Sequence, residues 1–104
     1  MEVIFNTDKN IEGKERIEKY FKEQLKEDLD RFSDRVTRLE VHLSDENGDK
    51  SGENDKKCVI EARPEGLKPL AVTAYDSTVE KAISSASKKI KSSLSKLLGK
   101  LQNY

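Results

Sequence analysis

The amino-acid sequence predicts an α+β fold, in which one four-stranded sheet carries two helices on a single face in the order β-α-β-β-β-α. Apolar residues recur every three or four positions in two stretches, one near the start of the chain and one in its last quarter, as in amphipathic helices. Four shorter segments are rich in apolar, β-branched and aromatic residues, as strands are. With 104 residues and no repeat or linker, residues 1–104 are predicted to form one domain.

The first strand and the first helix occupy the start of the chain. Glu2–Asn6 is a short apolar run that favours a β-strand. A helix of about five turns is predicted to begin at Gly13 and to end at Ser33-Asp34. Its apolar stripe is predicted to comprise Ile17, Tyr20, Phe21, Leu25, Leu29 and Phe32. The lysines and glutamates between them can pair four residues apart, which indicates a solvated outer face with little net charge.

Three further strands are predicted to form an antiparallel meander at Thr37–Leu43, Lys57–Arg63 and Pro69–Tyr75. Ser44–Lys57 contains no apolar residue and is predicted to be a long exposed hairpin loop. Residues expected to be buried between sheet and helices are Val3, Phe5, Leu39, Val41, Ile60 and Val72. Residues expected on the open, polar sheet face are Arg38, Glu40, His42, Glu61, Arg63, Thr73 and Tyr75.

The last quarter of the chain, Asp76–Leu101, combines a buried face with a basic one, and Asp76–Thr78 provide helix-capping side chains. The apolar face carries Val79, Ala82, Ile83, Ala86, Ile90, Leu94, Leu97 and Leu101. The opposite face is almost entirely lysine and serine. The chain has no net charge, yet this stretch has six lysines against two acidic residues, a basic stripe about 30 Å long that suits a row of phosphates. A plain solubilising face is the alternative, although such faces usually mix charge signs.

Other chemical candidates are weak, and the chain is predicted not to be an enzyme and to need no cofactor. The only histidine, His42, has no second ligand for a metal, and the only cysteine, Cys58, lies on the apolar side of its strand as a small hydrophobe. In the loop from Asp45, Lys50 and Lys56 stand where an EF-hand requires glycine and glutamate, which leaves open weak, non-EF binding of a divalent ion. No phosphate-loop, dinucleotide or nucleophile motif occurs. Without a signal peptide or membrane-spanning run, a cytoplasmic location is expected.

The pattern resembles the bacterial family of ribosome hibernation-promoting factors and ribosome-associated translation inhibitors, in its short, single-domain form. IEGKERIEKYFKEQLKEDLDRF resembles the first helix of that family, RVTRLEVHL the strand that follows, and KAISSASKKIKSSLSKLLGKL the second helix, with Ala82-Ile83 at a small-apolar pair. The resemblance implies a fold similar to a double-stranded RNA-binding domain with an extra N-terminal strand. It also implies a factor that occupies the mRNA and tRNA channel of the small ribosomal subunit and inhibits translation during stress.

The resemblance implies that basic residues of both helices contact ribosomal RNA. The expected RNA-binding residues are Lys81, Lys88, Lys89, Lys91, Lys96 and Lys100. Three of them match basic positions of the family, namely Lys89, Lys96 and Lys100. The chain departs from the family at Ser92, where arginine is common, and at Leu98, Gln24 and Glu27, where lysine is common. About half of the expected basic surface is therefore absent, and the last helix is expected to provide most of the contact.

Three functions are compatible with these patterns. The first is the ribosome-binding inhibitor, with the small subunit and its rRNA as partners, no membrane or small-molecule substrate, and a monomeric state off the ribosome. The second is a general module for structured or double-stranded RNA. The third is a protein-interaction module that uses the open sheet face or an unpaired strand edge. Without a second domain, the chain is not expected to link two ribosomes.

Overall fold

The computed structural model describes residues 1–46 and 55–102, with side chains described as far as residue 99. The strands are β1 (Glu2–Thr7), β2 (Val36–Asp45), β3 (Lys56–Pro64) and β4 (Leu70–Asp76). The helices are α1 (Lys14–Asp28) and α2 (Val79–Gln102), with a short 3₁₀ turn at Asp30–Phe32. The four strands form one sheet in the order β1-β2-β3-β4. The α+β class and the order β-α-β-β-β-α are therefore confirmed.

The sheet is mixed. β1 runs parallel to β2, whereas β2, β3 and β4 form the predicted antiparallel meander. One row of paired residues crosses all four strands: Val3 lies opposite Leu39, Leu39 opposite Ala62, and Ala62 opposite Leu70. Two neighbouring parallel strands must be joined by a crossover connection, and α1 lies in the segment that joins β1 to β2. This arrangement leaves β1 and β4 as the two edges of the sheet.

The core lies between one sheet face and the two helices. Leu39, Val41 and Ile60, on the two central strands, are fully buried as predicted. Phe5 and Val72 also point toward the core but are only partly buried. They belong to the edge strands, where the cover provided by the helices ends. The prediction that both helices pack on one face is confirmed, because their apolar stripes belong to this same core.

α1 begins where the sequence predicts but ends earlier. Gly13 precedes the helix with a φ of 72°, in the left-handed region that glycine adopts without strain. The predicted end at Ser33-Asp34 is wrong, because the α-helix stops at Asp28 and Leu29 has φ −110° and ψ 17°. A 3₁₀ turn over Asp30–Phe32 then continues the chain. The spacing of the apolar residues did not reveal where the α-helix ends, because a 3₁₀ turn also aligns side chains three residues apart.

The two central strands extend into the predicted loop Ser44–Lys57. β2 continues to Asp45 and β3 begins at Lys56, whose Nζ lies 3.1 Å from Asp55 Oδ1 and 3.2 Å from Asp45 Oδ2. The hydrogen bond to Asp55, followed by that to Asp45, raises the pKa of Lys56. Asp55 is 6% exposed, so the prediction of full exposure is wrong at the base of the hairpin. Residues 47–54 lie outside the described residues.

α2 begins after a side-chain cap. The backbone N–H of Lys81 donates to Thr78 Oγ1 at 3.1 Å, which confirms the predicted capping chemistry. The predicted apolar face is buried as far as Leu94, but Leu97 is only half-buried and Leu98 is 4% exposed. Leu98, compared above with a lysine position of the family, is therefore a core residue. The side chain predicted at residue 101 lies outside the described ones.

The thiol of Cys58 is predicted to be unreactive in the folded protein. Cys58 is fully buried, and burial raises its pKa to about 12. Because the thiolate is the reactive species, a chromogenic disulfide reagent at about pH 8 should react slowly with the native protein and fast with protein unfolded in guanidinium. Equal rates in the two conditions would contradict the buried position.

Candidate nucleic-acid interface

Five of the lysines predicted to bind RNA have described side chains and are exposed on α2, but they do not form one row. Helical geometry places Lys81 and Lys88 on the outermost line of the helix. Lys91 lies on the side that faces α1. Lys89 and Lys96, seven residues apart, lie on the side that faces β4. The five described lysines of the prediction thus divide between different surroundings, which the linear sequence did not indicate.

Lys89 is attached to the sheet. Its Nζ donates to the carbonyl oxygen of Thr73 at 2.7 Å. Thr73 lies on β4, an edge strand of the sheet. Edge strands expose backbone groups that have no strand partner, and a lysine at such an edge satisfies one of them and discourages pairing with another chain. Lys89 therefore has a structural contact of its own. The side chain of Lys100 lies outside the described ones, so its role stays a prediction.

A groove between α1 and α2 brings basic side chains from both helices together. Its volume is about 790 Å³. α2 contributes Lys88 and Lys91, and α1 contributes Arg16 from the opposite wall. Two carboxylates, Asp28 and Glu80, also line the groove. Arg16 was not among the predicted site residues, because the charges of α1 nearly cancel along the sequence and their facing directions depend on the packing.

Asp28 is already engaged by neutral donors. Gln24 Nε2 donates to its Oδ1 at 3.0 Å, and Ser87 Oγ donates to its Oδ2 at 3.2 Å. Ser87 is 6% exposed, so this link between the two helices lies at the base of the groove. Gln24, which the resemblance compares with a lysine, thus helps to join α1 to α2. These hydrogen bonds fix the orientation of the carboxylate but bring no positive charge to it, so Asp28 remains one of the two acidic groups of the groove.

Tyr20 does not belong to the buried stripe of α1. The buried residues of that helix are Ile17, Phe21 and Leu25, spaced four apart, whereas Tyr20 is 61% exposed. Its ring meets the ring of Phe21 edge to face, with centroids 4.9 Å apart and an interplanar angle of 84°. The stripe is narrow, so the position three residues after Ile17 falls at its rim. Tyr20 consequently forms part of the α1 wall of the groove.

Two arginines, Arg31 and Arg35, lie near the end of α2. Arg31 Nη2 donates to Ser95 Oγ at 2.6 Å, and its guanidinium lies 4.6 Å from the centroid of the Phe32 ring. Arg31 and Arg35 line a depression of about 250 Å³ together with Leu98. Sequence reasoning missed both arginines because they follow α1 in a segment that was treated as its end. The turn after α1 therefore adds two basic side chains beside the end of α2, next to the exposed Asp30 and Asp34.

The open face of the sheet is polar as predicted, and its charges are paired. Arg38 lies 3.4 Å from Glu40, Arg63 lies 3.1 Å from Glu61, and His42 lies 3.7 Å from Glu40. Across the two strands, Arg38 is opposite Arg63 and Glu40 is opposite Glu61. Positive and negative groups thus alternate over short distances, so this face has no excess of either sign.

Within residues 1–46 and 55–102, no three His, Cys, Asp or Glu side chains lie close enough together to hold a metal ion. In the same part of the chain, no helix is long and apolar enough to cross a membrane. The loop considered for weak cation binding runs through residues 47–54, outside the described residues, so that alternative is untested.

Known proteins provide an independent comparison. A family model described as sigma 54 modulation protein / S30EA ribosomal protein matches residues 4–102. The N-terminal domain of Protein Y from Thermus thermophilus has a TM-score of 0.66 and 22% identity, over 92% of this chain and 94% of that one. A ribosomal subunit interface protein from Coxiella burnetii has a TM-score of 0.67 and 15% identity, over 95% of this chain and 99% of that one. No curated protein sequence matches the chain significantly.

At such identities the two solved structures establish the fold, which is the four-stranded, two-helix arrangement described above. The family model covers nearly the whole chain and establishes the family. The two helices resemble in sequence those of ribosome-associated hibernation factors. The chain belongs to the family of these factors, the sigma 54 modulation protein / S30EA ribosomal protein family.

Proposed function

We propose that this protein binds the small ribosomal subunit in its mRNA and tRNA channel and inhibits translation by occupying that channel. The observation that carries the proposal is the convergence of basic side chains from two helices on one groove, with Arg16 on α1 and Lys88 and Lys91 on α2. The opposite sheet face, with its paired charges, gives no comparable attraction for a polyanion.

The charges along this surface suit a ribosomal RNA ligand. Among the ion pairs of the described residues, none involves a lysine of α2. Lysines without a carboxylate partner are free to neutralise phosphates, and each neutralised phosphate releases counterions and increases affinity. Folded RNA is recognised mainly through its shape and backbone. A rigid pair of helices that presents cations at fixed spacing is suited to that kind of recognition.

Inhibition then requires no chemical step. A domain that occupies the channel excludes mRNA and tRNA by competition. The degree of inhibition therefore depends on the affinity of the domain for the subunit and on the concentrations of mRNA and tRNA. We propose that the protein acts in this way as a cytoplasmic monomer, under conditions in which ribosomes are idle.

Co-sedimentation with purified small subunits over a series of salt concentrations tests the proposal. We expect the logarithm of the binding affinity to fall linearly with the logarithm of the salt concentration. The slope should lie between about −2 and −4, because three to five lysines and arginines are proposed to contact phosphates. Added protein should also reduce synthesis in a cell-free translation system. Large subunits serve as the control. Failure to bind small subunits at low salt would reject the proposal.

A plain RNA duplex separates this function from general RNA binding. Ribosome binding that is much tighter than duplex binding supports the specific function, whereas similar affinities would indicate a general RNA-binding module. The third function, a protein-interaction module on the open sheet face, predicts protein partners that remain bound after nuclease treatment.

A further inference from the structure

Tyr20 is the most exposed aromatic side chain among the described residues, and concave surface lies on either side of it. At 61% it is more exposed than Tyr75 at 51%. Tyr20 lines the groove between α1 and α2, and it also lines a second depression of about 420 Å³ along α1. The second depression is bordered by Lys19, Glu23 and Glu27. The ring therefore lies between two open spaces.

Tyr20 contacts one other aromatic ring among the described residues. Its described ring contact is the edge-to-face packing with Phe21. Perpendicular packing of two rings engages at most one face of each, and at 61% exposure most of the Tyr20 side chain is open to solvent. Aromatic rings with an open face stack on other flat π-systems, and a nucleobase always offers such a surface.

On the groove side of the ring, three basic residues stand against two acidic ones, whereas Lys19, Glu23 and Glu27 border its other side. Arg16 lies four residues before Tyr20, on the same side of α1, and Lys88 and Lys91 face it from α2. The carboxylates of the groove are Glu80 and Asp28, and Asp28 is engaged by Gln24 and Ser87 as described above. The volume of about 790 Å³ lies within the range of small-ligand sites. A ligand that suits this groove combines a flat ring with an adjacent negative group.

We propose that the groove between α1 and α2 binds an unpaired nucleotide of single-stranded RNA, with its base stacked on Tyr20 and its flanking phosphates contacted by Lys88, Lys91 and Arg16. This inference rests on the proposed function and deepens it, because it names unpaired rather than duplex RNA as the ligand of this surface. A base within a duplex is stacked on both sides and cannot reach the ring, whereas an unpaired base can be turned outward.

The inference is tested with a fluorescein-labelled oligouridylate of about ten nucleotides at about 50 mM salt. Tyr20→Leu retains an apolar side chain without the π face and is expected to weaken binding about tenfold or more. Tyr20→Phe retains the ring and is expected to bind within about twofold of the wild type. Tyr75→Leu, the same change on the open sheet face, is the matched control and should have no effect.

Two further measurements make the result specific. Binding of a duplex of equal length should be the same for Tyr20→Leu and the wild type. The chain contains no tryptophan, so Tyr20→Trp introduces a single reporter whose fluorescence should be quenched when the oligouridylate binds. The inference is overturned if the wild type does not bind the oligouridylate, if Tyr20→Leu binds it like the wild type, or if the tryptophan does not respond.

The outcomes also separate this inference from the proposed function. If the wild type and Tyr20→Leu bind small subunits equally and also bind the oligouridylate equally, the proposed nucleotide site is rejected and the proposed ribosome binding stands. If small subunits do not bind but the oligouridylate depends on Tyr20, the ribosomal function is wrong and the nucleotide site stands.

Discussion

The combined substitution of Lys88→Glu and Lys91→Glu is expected to lower the affinity for small ribosomal subunits about 100-fold. Both lysines are exposed and line the groove opposite Arg16. A charge-assisted hydrogen bond contributes about 1.5 kcal/mol, which is about tenfold in affinity for each lysine. The slope of logarithmic affinity against logarithmic salt should become flatter by about 2, because two phosphate contacts are lost. Sedimentation at several salt concentrations measures both quantities.

The matched control is Lys9→Glu with Lys68→Glu. Both residues are exposed and lie in connecting segments outside the helices and strands, and the double substitution changes the net charge by the same amount. We expect this variant to bind nearly as well as the wild type. Equal losses in the two double variants would show that overall charge, and not the groove, governs binding. Lys89 is left unchanged in this design, because its contact with Thr73 would mix an effect on the sheet edge with an effect on RNA.

Ile90→Ala is expected to have the largest effect on folding, with a loss of about 3 kcal/mol in the free energy of unfolding. Ile90 is fully buried at the centre of α2, in the core that the helix shares with β3 and β4. The substitution removes apolar contacts and leaves a cavity that the packed sheet cannot close. For a domain of this size the melting temperature should fall by roughly 12–20 °C. Urea unfolding followed by circular dichroism measures the change.

Ser92→Ala, two residues further along the same helix, is the control for that experiment. Ser92 is exposed, so we expect a change within about 0.5 kcal/mol. A loss smaller than about 1 kcal/mol for Ile90→Ala would mean that the centre of α2 is not packed as described.

The fold class and most of the core followed from the sequence because they depend on local periodicity. The alternation of apolar and polar residues identified the inward residues of β2 and β3, such as Leu39 and Ile60. Apolar residues spaced three to four positions apart identified Ile90 and Leu94 on α2. Errors occurred where spacing is ambiguous. Tyr20 has helical spacing but lies at the rim of its stripe, and Leu98 replaced Leu97 in the core.

The replacement at the end of α2 has a physical cause. The buried stripe proceeds in steps of four, from Ile90 to Leu94 to Leu98, and so shifts gradually around the helix. Near Leu98 the helix lies against the turn that contains Arg31 and Phe32. That neighbour is distant in the sequence, so the helical pattern alone could not choose between Leu97 and Leu98.

The sequence by itself determined the element order, the two amphipathic helices, the polar sheet face and the family. The tertiary structure decided which cations share a surface. Arg16 faces Lys88 and Lys91, Arg31 reaches Ser95 across 64 positions of the chain, and Lys89 is bound to an edge strand. Periodicity assigns each side chain to a face of its own helix or strand, but the neighbours of that face depend on how distant elements pack together.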